Sequence, residues 1–344
     1  MNRGDVPLVD ARAMSRRFGE LQALDHVDLC IRRGEMVGYV GPNGSGKTTT
    51  LRAMLGLVSL DSGELRLFGR DVRTGMAEIG PRLGVVFDQH ALHAELTVRE
   101  TLELYARLYE IKGDRRRRTD EVLALMGLGE RADSRAKTLS KGLRQRLAFG
   151  RAIIHAPDLL VLDEPFDGID TETLRHLREL LRRLVAEGTS VFLTSHDLHE
   201  VDQLASRVII LDRGRVVAEG TPAELKRGVA AGGGVFVVFQ QAVTLAELHD
   251  ALGIRAGEDL AAERPHVPLS TSRDAIELSP GGLQATIRLP QGLPADKIAL
   301  RLLAAGLRVR QFQPIESTLE DAYFARLHES MSDPTAEAST EEVQ

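Results

Sequence analysis

Eight consecutive residues near the N-terminus, GPNGSGKT, match the pattern G-x-x-x-x-G-K-[ST], which forms a loop around phosphate groups. Glycines let successive backbone N–H groups face phosphate oxygens, and the helix that follows adds about half a positive charge at its N-terminus. The lysine neutralises the β and γ phosphates, and the last hydroxyl binds Mg²⁺. This loop predicts ATP or GTP binding without choosing a class of enzyme. The predicted nucleotide-binding residues are Gly41, Pro42, Asn43, Gly44, Ser45, Gly46, Lys47, Thr48 and Thr49.

Two adjacent carboxylates, Asp163 and Glu164, follow a continuous apolar run over residues 159–162. The run predicts a strand buried on both faces, and open α/β sheets bind ligands at the carboxyl ends of such strands. Asp163 and Thr48 are therefore predicted Mg²⁺ ligands. Glu164 is suited to polarise an attacking water, a role that contributes a factor of about 10² to 10⁴. The pair could otherwise be helix-capping acids, but the phosphate loop favours catalysis, in which Glu164 and Lys47 are predicted catalytic residues.

The sequence around the phosphate loop and the acidic pair shows alternating strand and helix patterns, and these elements must position the reactive side chains. Residues 36–40 predict a short strand that leads into the phosphate loop, and residues 48–57 predict the helix after it. Residues from about 98 to 151 predict helices with little strand character, which indicates a helical insert. The alternation predicts an α/β fold with a mainly parallel sheet covered by helices. Further strand patterns lie at residues 8–14, 24–31, 64–68, 83–87, 159–162, 190–194 and 208–211.

The glycine-rich stretch at 230–234 predicts a linker between two domains. The first domain is predicted over residues 6–229 and a small α+β domain over residues 235–329. Within the second domain the pattern order β-α-β-β-α-β is typical of a split βαβ arrangement. Its strands at 275–278 and 284–289 are expected to pair. The acidic stretch 330–344 predicts a disordered tail.

Net charge, cysteine content and hydropathy limit the classes of protein to which this sequence can belong. The 344 residues carry a formal net charge of -6, which gives no reason to expect a nucleic-acid partner. The single cysteine, Cys30, cannot form an internal disulfide, so nothing indicates an oxidising compartment. No stretch reaches the roughly 18 to 20 apolar residues that a membrane helix needs. We therefore expect a cytoplasmic chain, unless a partner holds it at a membrane.

A third motif narrows the class of ATPase. Residues 139–146, LSKGLRQR, lie just upstream of the acidic strand and are similar to the L-S-G-G-Q signature of ABC proteins. With the phosphate loop and the acidic pair, the chain resembles the nucleotide-binding subunits of ABC transporters. The resemblance implies the ABC-type P-loop ATPase fold. It also implies that Ser140, Lys141 and Gly142 grip the γ-phosphate bound by a second subunit, with Asp170 of a D-loop at the interface.

Other positions follow from the same resemblance. His196 resembles the switch histidine that contacts the γ-phosphate. Phe18 occupies the place of the aromatic that stacks on adenine, although a core aromatic is a serious alternative. The expected Q-loop glutamine, a further Mg²⁺ ligand, falls on Asp88, and Gln89 is its neighbour. The sequence leaves open which of these two residues serves.

The departures Lys141 and Leu143 from the signature resemble the exporter branch called ABC-2, as does the segment 314–323. This resemblance implies an ATP- and Mg²⁺-dependent subunit that pairs head to tail with a second copy. It would power export through a separate membrane permease, at the inner face of the cell membrane. The alternative is a soluble ABC-type ATPase that acts on nucleic acid or ribosomes. Such proteins carry two ATPase units or a long coiled coil, and this sequence has neither.

Overall fold

The structure, a computed structural model, describes residues 7–88, 92–227, 234–253, 276–288, 295–315 and 317–332. The chain divides between Pro222 and Ala223 into two compact units, which are described separately. This division lies before the predicted linker, and residues 228–233 of that region are outside the described residues. No helix in the described ranges is both long and apolar enough to cross a bilayer.

The strands up to residue 220 are β1 (Val9–Phe18), β2 (Leu21–Ile31), β3 (Met36–Val40), β4 (Ser62–Leu67), β5 (Arg70–Asp71), β6 (Leu83–Val86), β7 (Leu159–Asp163), β8 (Ser190–Ser195), β9 (Arg207–Asp212) and β10 (Arg215–Gly220). The helices are α1 (Lys47–Met54), α2 (Val72–Ile79), α3 (Val98–Leu108), α4 (Arg115–Leu125), α5 (Lys141–Ile153), α6 (Thr171–Ala186), α7 (Leu198–Leu204) and α8 (Pro222–Arg227). Helices α3 to α5 form the predicted helical insert.

The central sheet has the strand order β10-β9-β3-β8-β7-β6, and all its neighbours are parallel except β10 and β9. Every residue of β3 and β8 is buried, which is typical of inner strands of a parallel sheet that is covered on both faces. The predicted parallel sheet is confirmed. In its register Val40 lies opposite Ser195, and Asp163 lies opposite Thr194. The phosphate loop, the acidic pair and His196 therefore leave the sheet at one edge.

The first strands lie outside this parallel sheet. They form a separate antiparallel sheet of order β2-β1-β4-β5. The reason is the tight connection at Gly19 and Glu20, since a two-residue turn can join only antiparallel strands. Both sheets contribute to one hydrophobic core around α1, which includes Met14, Leu24 and Leu51.

Helix α1 is fixed to the strand that precedes it. Its Thr50 Oγ1 lies 3.1 Å from the hydroxyl of Tyr39 on β3, and both side chains are fully buried. The Tyr39 ring packs on Phe192 of β8, with ring centroids 5.2 Å apart. Leu51 and Met54 bury the same side of the helix. These contacts fix the direction in which the N-terminus of α1 points.

The second unit contains β11 (Gly234–Phe239), α9 (Leu245–Leu252), β12 (Ile276–Leu278), β13 (Gln284–Arg288), α10 (Ala295–Ala304), β14 (Val309–Ile315) and α11 (Leu319–Ser332). The antiparallel sheet order is β12-β13-β11-β14, with β12 and β13 paired as predicted. The order is that of a split βαβ arrangement. Its core includes Val235 and Val237 of β11, Leu248 of α9 and Ile298 of α10.

Helix α11 reaches Ser332, so the prediction of a disordered tail from residue 330 is wrong at its start. Glu329 and Met331 are good helix formers, and the polar composition of this region hid that preference. Residues 333–344 are outside the described residues.

Candidate nucleotide-binding and hydrolysis site

The loop between β3 and α1 turns at Gly46, which has φ +110° and is the N-cap of α1. A Cβ on Gly46 would also collide with the carbonyl oxygen of Ala23. Glycine offers no side-chain acceptor, so no side chain of the N-cap binds the first N–H groups of α1. Such an uncapped helix N-terminus is suited to bind an anion.

Lys47 lies at the start of this helix with only 7% of its surface exposed. Its Nζ donates hydrogen bonds to the carbonyl oxygens of Gly41 at 2.7 Å and Pro42 at 3.2 Å. Burial lowers the pKa of Lys47, while the nearby carboxylates of Glu164 and Asp163 act in the opposite direction. The ammonium group therefore lies inside the loop, within the electrostatic reach of both acids.

The remaining loop residues fit a polyphosphate. Ser45 Oγ is buried and has no hydrogen-bond partner among the described residues, and a phosphate oxygen would satisfy it. Asn43, Gly44 and Thr48 are exposed, and Thr49 is half-buried. The Thr48 hydroxyl is thus accessible to a cation beside the phosphates. Mg²⁺ commonly takes one or two protein carboxylates together with substrate phosphates, so Thr48 and Asp163 form a suitable donor set.

Thr194, the residue before the last of β8, organises the acidic pair. Its Oγ1 donates to Asp163 Oδ1 at 2.7 Å. The backbone N–H of Glu164 lies 3.2 Å from both Oγ1 and the carbonyl oxygen of Thr194. Glu164 has φ +45°, which is uncommon for a residue with a side chain. The two acceptors on Thr194 hold the backbone of Glu164 in that conformation.

The carboxylate of Glu164 also contacts His196. Its Oε2 accepts from the backbone N–H of His196 at 3.1 Å and lies 2.8 Å from His196 Nδ1. An ionised carboxylate can only accept, so Nδ1 carries the proton in this contact. Nε2 is the other ring nitrogen of His196, whose side chain is mostly exposed. These contacts leave Oε1 of Glu164 available to accept a proton from water.

The predicted signature residues belong to a second group of contacts, formed by the N-termini of α5 and α6. Ser140 caps α5 and accepts from the N–H of Leu143 at 3.3 Å. Asp170 caps α6 and accepts from Thr173 N and Thr173 Oγ1, both at 2.9 Å. A Cβ on Gly142 would lie 2.6 Å from Thr173 Oγ1 and 2.7 Å from Asp170 Oδ2, so a side chain there would have to displace these two capping groups of α6.

Lys141 extends from this second group toward the loop that follows the acidic strand. Its Nζ lies 3.8 Å from Asp167 Oδ2, at a largely exposed site. Buried Gln145 of α5 donates to the carbonyl oxygen of Pro165, the residue after Glu164, at 2.7 Å. The signature helix is therefore tied directly to the loop that carries Glu164.

Two contributors had no role in the sequence prediction, Thr194 and Gln145. The sequence signal that indicates Thr194 is a hydroxyl residue near the end of a buried strand, two positions before His196. Gln145 had a weaker signal, a neutral polar residue between Arg144 and Arg146 in the signature helix.

The remaining predicted site residues are Phe18 and the two Q-loop candidates. Phe18 ends β1 with 44% of its surface exposed, so the alternative of a core aromatic is wrong. Asp88 is an exposed residue just after β6, which is parallel to β7. Asp88 and the acidic pair therefore follow the carboxyl ends of neighbouring strands. Gln89 is outside the described residues, so the choice between Asp88 and Gln89 stays open.

Comparisons with known proteins agree with this geometry. The family model described as ABC transporter matches residues 24–167. The chain is 36% identical to daunorubicin resistance ATP-binding protein DrrA2 of Streptomyces coeruleorubidus, over 85% of this chain and 91% of the relative. It is 33% identical to daunorubicin/doxorubicin resistance ATP-binding protein DrrA of Streptomyces peucetius, over 99% of both chains.

A solved structure supports the same assignment. The dimeric ATP-binding cassette MJ0796, bound to ADP and Pi after hydrolysis, aligns with a TM-score of 0.57 and 29% identity. The alignment covers 62% of this chain and 98% of that one. The site, the sequence relatives and this cassette agree, and the chain belongs to the ABC transporter family as one of its ATP-binding, ATP-hydrolysing proteins, in the branch that contains drug-resistance exporters.

Proposed function

We propose that the chain is the ATPase subunit that powers an exporter through a separate membrane permease. The observation that carries this proposal is the first group of contacts, formed by Lys47, Asp163, Glu164 and His196. In this group Glu164 Oε2 lies 2.8 Å from His196 Nδ1, and the carboxylates of Glu164 and Asp163 act electrostatically on Lys47. The proposal includes an ATPase domain over residues 6–229 and a C-terminal domain over residues 235–329.

Within one subunit each side chain has a distinct role. Lys47 and the first N–H groups of α1 bind the β and γ phosphates, with Ser45 Oγ as a further partner. Thr48 and Asp163 would hold Mg²⁺, with Asp88 or Gln89 as a further ligand, and the cation would neutralise phosphate charge. Glu164 polarises the attacking water through its free oxygen, and His196 contacts the γ-phosphate.

A second copy completes the site. Ser140, Lys141 and Gly142 lie at the N-terminus of α5, where the helix dipole favours an anion. Their described contacts are with α6 and the loop after β7, and Lys47 has its contacts in a different group. We infer that they bind the γ-phosphate held by the other copy in a head-to-tail pair. Asp170 lies beside Gly142 and would face the same interface.

The membrane part of the transporter would come from another chain. We infer a peripheral location at the inner face of the cell membrane, through the permease. The drug resistance recorded in the names of the relatives supports export as the direction of transport.

Purification of the tagged full chain from detergent-solubilised membranes of its own cells tests the proposal. We expect one polytopic membrane protein to copurify in a fixed ratio, and its reconstitution in vesicles to raise the ATPase rate. A chain that purifies without such a partner, and whose ATPase is stimulated by DNA or RNA, would indicate the nucleic-acid alternative instead.

A further inference from the structure

Arg16 and Phe18 lie two residues apart at the end of β1, where the pairing with β2 is irregular between Arg16 and Arg17, and their side chains meet. The guanidinium carbon of Arg16 lies 4.7 Å from the centroid of the Phe18 ring, a distance typical of a cation–π contact. Arg16 thus covers part of the ring, while 44% of the surface of Phe18 remains exposed.

The position of Arg16 is fixed from a second direction. Arg16 Nη1 donates to Asp61 Oδ1 at 2.6 Å, and Asp61 Oδ2 accepts from the backbone N–H of Arg17 at 2.7 Å. The backbone N–H of Asp61 in turn donates to the carbonyl oxygen of Ser15 at 2.9 Å. Asp61 therefore clamps the guanidinium against the end of β1, directly beside Phe18.

The partly buried position of Arg16 has a free-energy cost that a solvent-exposed arginine would not have. Arg16 Nε is buried and without a hydrogen-bond partner in the described part of the chain. The Arg16 side chain is only 23% exposed. Arg12 on the same strand forms an ion pair with Asp10 and is 75% exposed. A buried N–H that lacks a partner is unfavourable, so a compensating interaction is expected at Arg16.

We propose that Arg16 is a positioning residue for nucleotide binding, which holds the Phe18 ring and polarises it for stacking on the purine base. The inference rests on the proposed function, in which Phe18 stacks on adenine. A cation that lies over one face of an aromatic ring is attracted to the negative charge of that face and polarises the ring. The ring then has less negative charge to repel an electron-rich base that stacks in an offset geometry.

The test is a double-mutant cycle on ATP affinity in the full chain, measured by titration calorimetry with Mg²⁺. Phe18→Ala is expected to weaken ATP binding about 5- to 150-fold, the range for loss of base–aromatic stacking. Arg16→Met keeps the aliphatic packing but loses the cation, and it should weaken ATP binding about 2- to 5-fold. The same Arg16→Met change made in Phe18→Ala should have almost no further effect, because its partner ring is gone.

Two further measurements separate stacking from simple charge attraction. Arg16→Met should not change the affinity for inorganic tripolyphosphate, which has no base. Arg16→Lys should bind ATP more tightly than Arg16→Met, because an ammonium group also forms a cation–π contact. Arg12→Met is the matched control, with the same loss of charge on the same strand, and it should leave ATP affinity unchanged.

The outcomes distinguish the inference from its premise. If Phe18→Ala leaves ATP affinity unchanged, base stacking at Phe18 is absent and the role of Arg16 is excluded with it. If Phe18→Ala weakens binding and Arg16→Met does not, only the role of Arg16 is excluded. Equal weakening of ATP and tripolyphosphate by Arg16→Met would show that Arg16 attracts phosphate, which also contradicts the inference.

Discussion

Replacing Glu164 by glutamine is expected to lower kcat for ATP hydrolysis about 10²- to 10⁴-fold, the range for loss of a general base. ATP should still bind, because Lys47 and the N-terminus of α1 are unchanged. The amide oxygen of glutamine can keep the bond from the backbone N–H of His196, so the local geometry is retained. What is lost is the carboxylate that polarises water.

The rate is measured as phosphate release at saturating ATP, together with size-exclusion chromatography in ATP and Mg²⁺. We expect the variant to accumulate as an ATP-bound dimer, since hydrolysis no longer reopens the pair. Glu187→Gln is the matched control, because Glu187 is exposed at the end of α6 and its only ion pair in the described part of the chain is with Arg183. Wild-type turnover in Glu164→Gln would mean that another group activates the water.

The Lys47→Met variant is expected to lose at least about 10²-fold in kcat/KM for ATP, comparable to the loss of one charge-stabilising donor. Methionine keeps much of the stem that is buried in the loop but has no ammonium group. Two carboxylates, Asp163 and Glu164, then face the phosphates without the cation that lies near them now. Binding and catalysis should both weaken, in contrast to Glu164→Gln, where binding persists.

Equilibrium binding of a fluorescent ATP analogue and the steady-state rate together check this result. Arg52→Met is the control, since Arg52 is an exposed cation in the last turn of the same helix. Both variants should melt within a few degrees of the wild type. The role of Lys47 is contradicted if Lys47→Met binds ATP as the wild type does, or if Arg52→Met weakens binding equally.

The sequence predicted the first group of contacts well because its residues follow short buried strands. Met36–Val40 was predicted with its observed bounds. Carboxyl ends of neighbouring parallel strands share one edge of a sheet, so the strand patterns predicted that the phosphate loop with Lys47 and the acidic pair lie close together. His196 was identified only through the family resemblance. The contact of His196 with Glu164 needed the register of β7 and β8, which periodicity does not provide.

Other features of the fold and the site depend on contacts between residues that are distant in the sequence, and local sequence patterns do not reveal such contacts. The separate antiparallel sheet follows from the two-residue turn between β1 and β2, whereas the strand pattern of β1 alone does not indicate which strands it pairs with. The role of Thr194 required knowing which strand lies next to β7. The clamp of Asp61 on Arg16 joins residues 45 positions apart, so no local pattern indicates it.

The central claim is that each hydrolysis site combines the phosphate loop of one copy with the signature residues of another. Mixing two inactive variants tests it most directly. Lys47→Met disables the loop, and Gly142→Asp places a carboxylate beside Asp170, where the γ-phosphate of the other copy would bind. Each variant alone should be inactive, since every site in its homodimer carries one defect.

In the mixed dimer one site carries both defects and the other carries none. After the two variants are unfolded and refolded together, the account predicts that activity returns. The expected rate is up to about a quarter of the wild-type rate, for random pairing into two-fold dimers with independent sites. Separately refolded wild-type protein sets the recoverable maximum. A mixture no more active than the two variants measured apart would contradict a site shared between two copies.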